Sequence, residues 1–376
     1  MLTRRHFSLA SATALSSFGS ANAQSSSRIV LGQSAAFTGP AAQLGIQLHA
    51  GAKLWFDQLN ERGGVNGKFV EIKKMDDGYE PDRCLANTKS LIDDGVFALF
   101  GYIGTPTCLA AFPVIKSSQI PFISPFTGAM SLRDPFIKNV FHLRASYNDE
   151  TALIVRQLTN LGLKKIAVFY QNDAYGKAGL DGVTLALSKL NLKPVAVATV
   201  ERNTVDVANA VKVLTTSGPD AVVQISAYKS CAAFIRESRK AGFGGTFFNV
   251  SFVGTQALAD ELGKDGAGVV VSQVVPSPYS PARPIARDFL ESIKNGGGDV
   301  QANFSSMEGY LAAKLLTEGL RRAGAGTISR ADLIRGIEAT GNLSFGGFTT
   351  QLSSNNHVAS SFVELSMLTG DGRVRT

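Results

Sequence analysis

Histidine and cysteine are scarce in this chain. Four histidines (His6, His49, His142, His357) and three cysteines (Cys84, Cys108, Cys231) occur among 376 residues. No CxxC pair exists and the histidines stand far apart, so zinc-ligand spacing is missing. Charge is thin as well. Only 18% of residues are charged, and the surplus of +7 is scattered without a Lys/Arg block. That argues against a nucleic-acid partner. No apolar run reaches the ~20 residues needed to span a bilayer. The GxSxG elbow, HExxH, the Walker A ending and a GxGxxG after a strand are all absent, so catalysis has little support and no cofactor or metal is expected.

The chain opens on "MLTRRHFSLASATALSSFGSANAQ". A charged start, a short apolar run and Ala21-Asn22-Ala23 make a secretory signal peptide over residues 1–23, cut after Ala23. Arg4 and Arg5 followed by Phe7 resemble a twin-arginine leader, and an ordinary Sec leader remains the alternative. Loss of the leader takes two arginines from the net charge. A free protein beyond the inner membrane is expected, without a lipid-anchored cysteine. In an oxidising compartment Cys84 and Cys108 could pair, or all three thiols could stay free and buried.

The remaining length suits about two domains. "RIVLGQSAAF" reads as a strand. A helix is expected from Pro40 to about Arg62, with Thr38 as N-cap, and Gly63-Gly64 stops it. Strands and helices then alternate to "PFISPF", and the alternation restarts at Tyr147. Two β-α-β-α runs predict two doubly wound α/β lobes with parallel sheets. The Pro-dense "PSPYSPARP" is a surface loop or a crossing between lobes. The last residues read as a hairpin turning at Gly370-Asp371-Gly372.

In such sheets ligands sit beyond the carboxyl ends of the strands. The loops there offer Ser34, Thr38, Thr105, Thr107, Ser124 and Thr127: neutral donors near helix starts, suited to a carboxylate. Tyr147, Tyr175, Tyr228 and Phe252 supply aromatic walls with polar tips on the tyrosines. Asp76 and Asp77 read as a solvated, capping strand end. Glu308, inside a helix, reads as a packing or hinge contact.

At these loops the chain resembles a family. "NERGGVNGKFVEIKKMDDGYEP", "GYIGTPT", "PFISPFTGA", "FHLRASY", "YQNDAYGKAGLDG" and "MEGYLAAKLL" look like the periplasmic branched-chain amino-acid-binding proteins, type I solute receptors of ABC importers. The resemblance spans essentially the whole mature chain. It implies two Rossmann-like lobes joined by three hinge crossings: lobe 1 over 28–143 plus 279–356, lobe 2 over 147–274 plus 361–376. It implies a small carboxylate ligand in the cleft, permease subunits as partners, a monomer and no enzymatic role. A sensory receptor with the same cleft is the alternative. Carried over by residue, the carboxylate clamp falls on Thr105 and Thr107 and on the backbone of Phe126 and Thr127. Tyr175 and Tyr228 belong to the closing lobe. One departure stands out. Amino-acid-binding members hold the ammonium with an acid in the loop after the "FFNVS" strand, and here that loop is "SFVGT", with Phe252. The ligand is therefore expected to be either a branched-chain amino acid, the family's default, or an apolar or aromatic acid without an α-ammonium, and Lys229 nearby is either an anion partner or a solvated helix-start residue.

Overall fold

The computed structural model describes residues 28–376; the leader and its cut after Ala23 lie outside the described residues. Strand β1 (Arg28–Ala35) leads to α1 (Ala42–Glu61). There follow β2 (Phe69–Asp76), α2 (Pro81–Asp93), β3 (Ala98–Phe100), α3 (Thr105–Ser118), β4 (Phe122–Ile123) and β5 (Val140–Phe141). These five strands form one parallel sheet in the order β2-β1-β3-β4-β5.

The second run comprises α4 (Tyr147–Asn160), β6 (Ile166–Gln171), α5 (Ala174–Ser188), β7 (Val197–Val200) and α6 (Ala208–Thr216). It continues with β8 (Ala221–Ile225), α7 (Tyr228–Lys240), β9 (Thr246–Asn249), α8 (Thr255–Leu262) and β10 (Val270–Gln273). The parallel order is β7-β6-β8-β9-β10. Every residue of β8 is buried, as expected where helices cover both faces.

The chain then returns to the first sheet. Helices α9 (Pro284–Gly296), α10 (Phe304–Ala323) and α11 (Arg330–Glu338) follow, and Ile285, Phe289, Leu311 and Leu315 share a core with Ile29 and Leu31 of β1. The Pro-dense segment is thus a crossing. A small hairpin, β11 (Asn342–Ser344) with β12 (Thr349–Gln351), precedes a last passage to the second sheet. There β13 (Glu364–Leu368) pairs antiparallel with β10, and β14 (Val374–Arg375) with β13, as the Gly370-Asp371-Gly372 turn predicts.

Two local expectations are corrected, and the choice left open for the cysteines is decided. Helix α1 starts at Ala42, and Thr38 does not cap it: Asp76, at the end of the neighbouring strand, accepts the Thr38 hydroxyl and backbone N–H, at 2.6 and 3.0 Å. Asp77 is buried rather than solvated, accepting from Ser34 Oγ at 2.7 Å and Tyr79 N at 2.8 Å. The thiols of Cys84, Cys108 and Cys231 are all free and buried.

Both parallel sheets place the first strand of their run between the second and third. Strand order therefore reverses at β1/β3 and at β6/β8, where crevices open beyond the strand ends. The two crevices face each other.

Candidate functional site

On the first lobe, the site is built from the turns after β2, β3 and β4. Gly104 sits at φ 97 just before α3, and a Cβ there would lie 2.2 Å from the Tyr79 ring. Glycine at this position gives the left-handed turn and room for the ring. Gly128, without a left-handed turn, likewise leaves room for Tyr147, whose ring would lie 2.7 Å from an added Cβ. Thr105 opens α3, and its hydroxyl meets that of Thr127 at 2.6 Å. One of the two keeps a free hydroxyl hydrogen, beside the first-turn N–H groups of α3, which lack helical partners.

The other expected clamp groups are engaged elsewhere. The Thr107 hydroxyl donates to Ile103 O and to Gly104 O. The Phe126 N–H donates to Tyr102 O at 2.7 Å, and the Thr127 N–H to Pro125 O at 2.9 Å.

On the second lobe, Tyr147 opens α4 behind a Ser146–Asp149 capping box, and Tyr175 lies in the first turn of α5. Asp173 accepts from Tyr175 N at 2.9 Å and Gly176 N at 3.3 Å, so the start of α5 is already capped by an acid. Phe252 follows β9. Its ring stands 4.5 Å from Tyr175, 5.8 Å from Tyr79 and 5.6 Å from Phe126, centroid to centroid. Tyr147 and Tyr175 are 5.4 Å apart. Such spacings are ring contact, so the two lobes are closed on one another with these rings filling the gap between them.

The expected residues thus divide. Thr105, Phe126, Thr127, Tyr147, Tyr175 and Phe252 come together. Thr38 is exposed and bound to Asp76. Tyr228 opens α7 apart from these rings, with its phenol near the Gln43 backbone of lobe 1. Lys229 beside it is half-buried.

Several polar atoms of these loops and helix starts are buried and have no hydrogen-bond partner: the hydroxyls of Ser124, Tyr147 and Tyr175, and Nη1 of Arg144. Burial pushes the Tyr147 phenol up to about 12, although Arg144 and Thr127 pull the other way. It raises the Tyr175 phenol further. Both therefore stay protonated as donors. Buried donors without acceptors are uncommon and costly.

Sequence reasoning missed four contributors. Tyr79, at φ 64, brings a lobe 1 ring to Phe252, and its oxygen accepts from Gln171 Nε2 of lobe 2 at 3.1 Å. Arg144 lies 4.0 Å over the Phe126 ring and forms a buried fork with Glu308. Glu150 accepts from Ser251 N at 2.7 Å, Ser251 Oγ at 3.1 Å and Ser272 Oγ at 2.6 Å. It is an acid beneath the Phe252 loop, but it is spent in bracing that loop. Arg202 ties the lobes together at the rim through Glu80. Tyr79 and Arg144 stand in motifs the sequence does display, "DDGYEP" and "FHLRASY"; nothing in the spacing marks Glu150 or Arg202.

The sequence profile of the periplasmic binding protein family matches residues 28–372. A possible leucine/isoleucine/valine-binding protein of Rhodopirellula baltica is 33% identical, with a TM-score of 0.88, over 92% of this chain and 95% of that one. A substrate-binding periplasmic protein from Ralstonia solanacearum is 29% identical, with a TM-score of 0.87, over 92% and 99%. Leu/Ile/Val-binding protein homolog 7 of Brucella melitensis is 25% identical over 90% of this chain and 89% of its own length. These relatives are binding proteins, and the family implies a periplasmic location. No helix among the described residues is long and apolar enough to cross a membrane. With two doubly wound lobes closed over a ring-lined cleft, the chain belongs to the periplasmic binding protein family, in its branched-chain amino-acid-binding branch, and has the type I fold.

Proposed function

We propose that this protein is the receptor of an ABC importer, and that it captures a small apolar or aromatic carboxylate without an α-ammonium. The observation carrying this reading is Phe252. It occupies the loop where amino-acid-binding members keep their acid, and it is fully buried against Tyr79, Phe126 and Tyr175. An ammonium set against those rings would leave water with no uncommitted anion beside it, because Glu150 is already bound to Ser251 and Ser272, at a cost of several kcal/mol. The unpartnered hydroxyls of Tyr147, Tyr175 and Ser124 suit the acceptor oxygens of a carboxylate. The branched-chain relatives make leucine the natural competitor.

Calorimetry of the mature protein against leucine, 4-methylpentanoate and phenylacetate tests the reading. The two acids without an amine should bind and leucine should bind at least about tenfold more weakly, about 1.4 kcal/mol. Tight binding of leucine with none of either acid would overturn it. A ligand at 100 times its Kd should add about 2.7 kcal/mol of thermal stability, which gives a second readout.

A further inference from the structure

Arg144, stacked beside the cleft rings, carries a positive charge whose role the packing leaves open. Arg144 is 1% exposed. Its Nε and Nη2 donate to Glu308 Oε1 and Oε2, both at 2.8 Å. This fork fixes the guanidinium plane. Burial would weaken the charge, but Glu308 holds it firmly ionised, above the ordinary arginine range. The third nitrogen, Nη1, is buried and bonds to nothing. The guanidinium stacks 4.0 Å from Phe126, and Phe126 packs against Phe252 of the opposite lobe.

If Arg144 served only to join Glu308 to the first lobe crossing, two bonds would do, and the spare N–H pair would be left unpaired at a cost. Its surroundings fit a different role. Tyr147, near enough for Arg144 to pull its phenol downward, also carries an unpartnered hydroxyl. Glu308 and Glu150 are each occupied, by Arg144 and by Ser251 and Ser272, so neither competes for Nη1.

We infer that Arg144 Nη1, with the Tyr147 hydroxyl, takes an anionic oxygen of the cleft ligand, and that Glu308 is the positioning residue that aims it. This rests on the carboxylate reading above and names the residue that makes the site demand a charge. Uncharged isosteres of the ligand, such as primary amides, bind poorly because their NH₂ end meets a second donor.

The test compares 4-methylpentanoate with 4-methylpentanamide, and phenylacetate with phenylacetamide, by calorimetry on wild type, Arg144→Lys and Glu308→Gln. Melting curves confirm that each variant is folded. Wild type should prefer each acid to its amide by about tenfold or more. Arg144→Lys should collapse that preference through loss of acid binding alone. Glu308→Gln keeps the guanidinium and should reduce the preference partway. A purely structural Arg144 would weaken acid and amide alike, and that outcome overturns the inference. So does an Arg144→Lys variant with undiminished preference, which leaves the carboxylate reading standing. If leucine is the only ligand, the ammonium-free reading falls, and Arg144 is judged by whether Arg144→Lys loses leucine. Failure of every compound to bind wild type overturns both.

Discussion

Arg202 of the second lobe donates from Nη2 to Glu80 Oε2 of the first at 2.8 Å. Asn203 Nδ2 takes the other Glu80 oxygen at 2.7 Å and reaches Gly78 O at 3.1 Å. Asp173 lies 3.6 Å from Arg202 Nη1. These bonds form a strap across the rim of the closed cleft, on the same turn that carries Tyr79.

The strap is partly exposed, with Glu80 at 42% and Arg202 at 24%, so its worth is modest and screened by salt. Glu80→Gln should weaken ligand binding by about two- to fivefold. The variant should also lose part of the salt dependence of wild type. Equal affinity for both proteins at low ionic strength would show that the strap contributes nothing to closure.

Tyr175 contributes a ring and a hydroxyl, and two variants separate them. Tyr175→Ala should weaken binding by at least about tenfold. It also empties a fully buried site, at roughly 3–5 kcal/mol of stability. Tyr175→Phe keeps the ring and removes a hydroxyl that has no partner in the structure. Its melting temperature should be unchanged or higher, while ligand affinity falls by a few-fold, about 1 kcal/mol. Unchanged affinity in both variants would remove Tyr175 from the site.

Two buried groups of lobe 1 give opposing pH dependences. Burial raises the Asp77 carboxyl from 3.8 to about 6, outweighing the bonds from Ser34 and Tyr79. The folded state thus holds that proton more tightly, and its stability falls as pH rises through this window. Burial first, then Lys74 and Lys53, lowers His49 from 6.5 to about 4, against a smaller pull from Asp57; its ring meets Gln33 Oε1 at 2.7 Å. Here the folded state resists protonation, and stability falls as pH drops from 6.5 toward 4. Each effect is on the order of 2 kcal/mol, so together they largely cancel between pH 4 and 6. Asp77→Asn should expose a rising slope with pH and His49→Gln a falling one in denaturant melts. Parallel slopes in the two variants would refute the assignment.

The three thiols are fully buried, and burial raises each well above the ordinary thiol range. A thiol reagent should label none of them in the native protein and all three in denaturant. Labelling of any one at the native rate of a free thiol would show that it is exposed in solution.

Most of the scaffold is legible because apolar strands and helix caps are local. "IAVFYQ" and "AVVQI" stand where the alternation places them, and Tyr147, Tyr175 and Phe252 converge as their positions at strand ends imply. The two-residue strand β5 and the β11–β12 hairpin are too short to leave a periodic trace. Thr38 misleads because a threonine before Pro40 looks like a cap, while the competing acceptor, Asp76, arrives from the adjacent strand. The Arg144–Glu308 fork and the Glu80–Arg202 strap join residues 164 and 122 positions apart. No spacing rule reaches that far; such pairs exist only once the sheets have placed their ends together.

The absence of any sulfur–sulfur link among the described cysteines has a consequence for biogenesis. A native state that owes nothing to oxidation is indifferent to the redox poise around it. Its maturation therefore involves no disulfide among the described cysteines, and a reducing agent should leave its melting temperature unchanged.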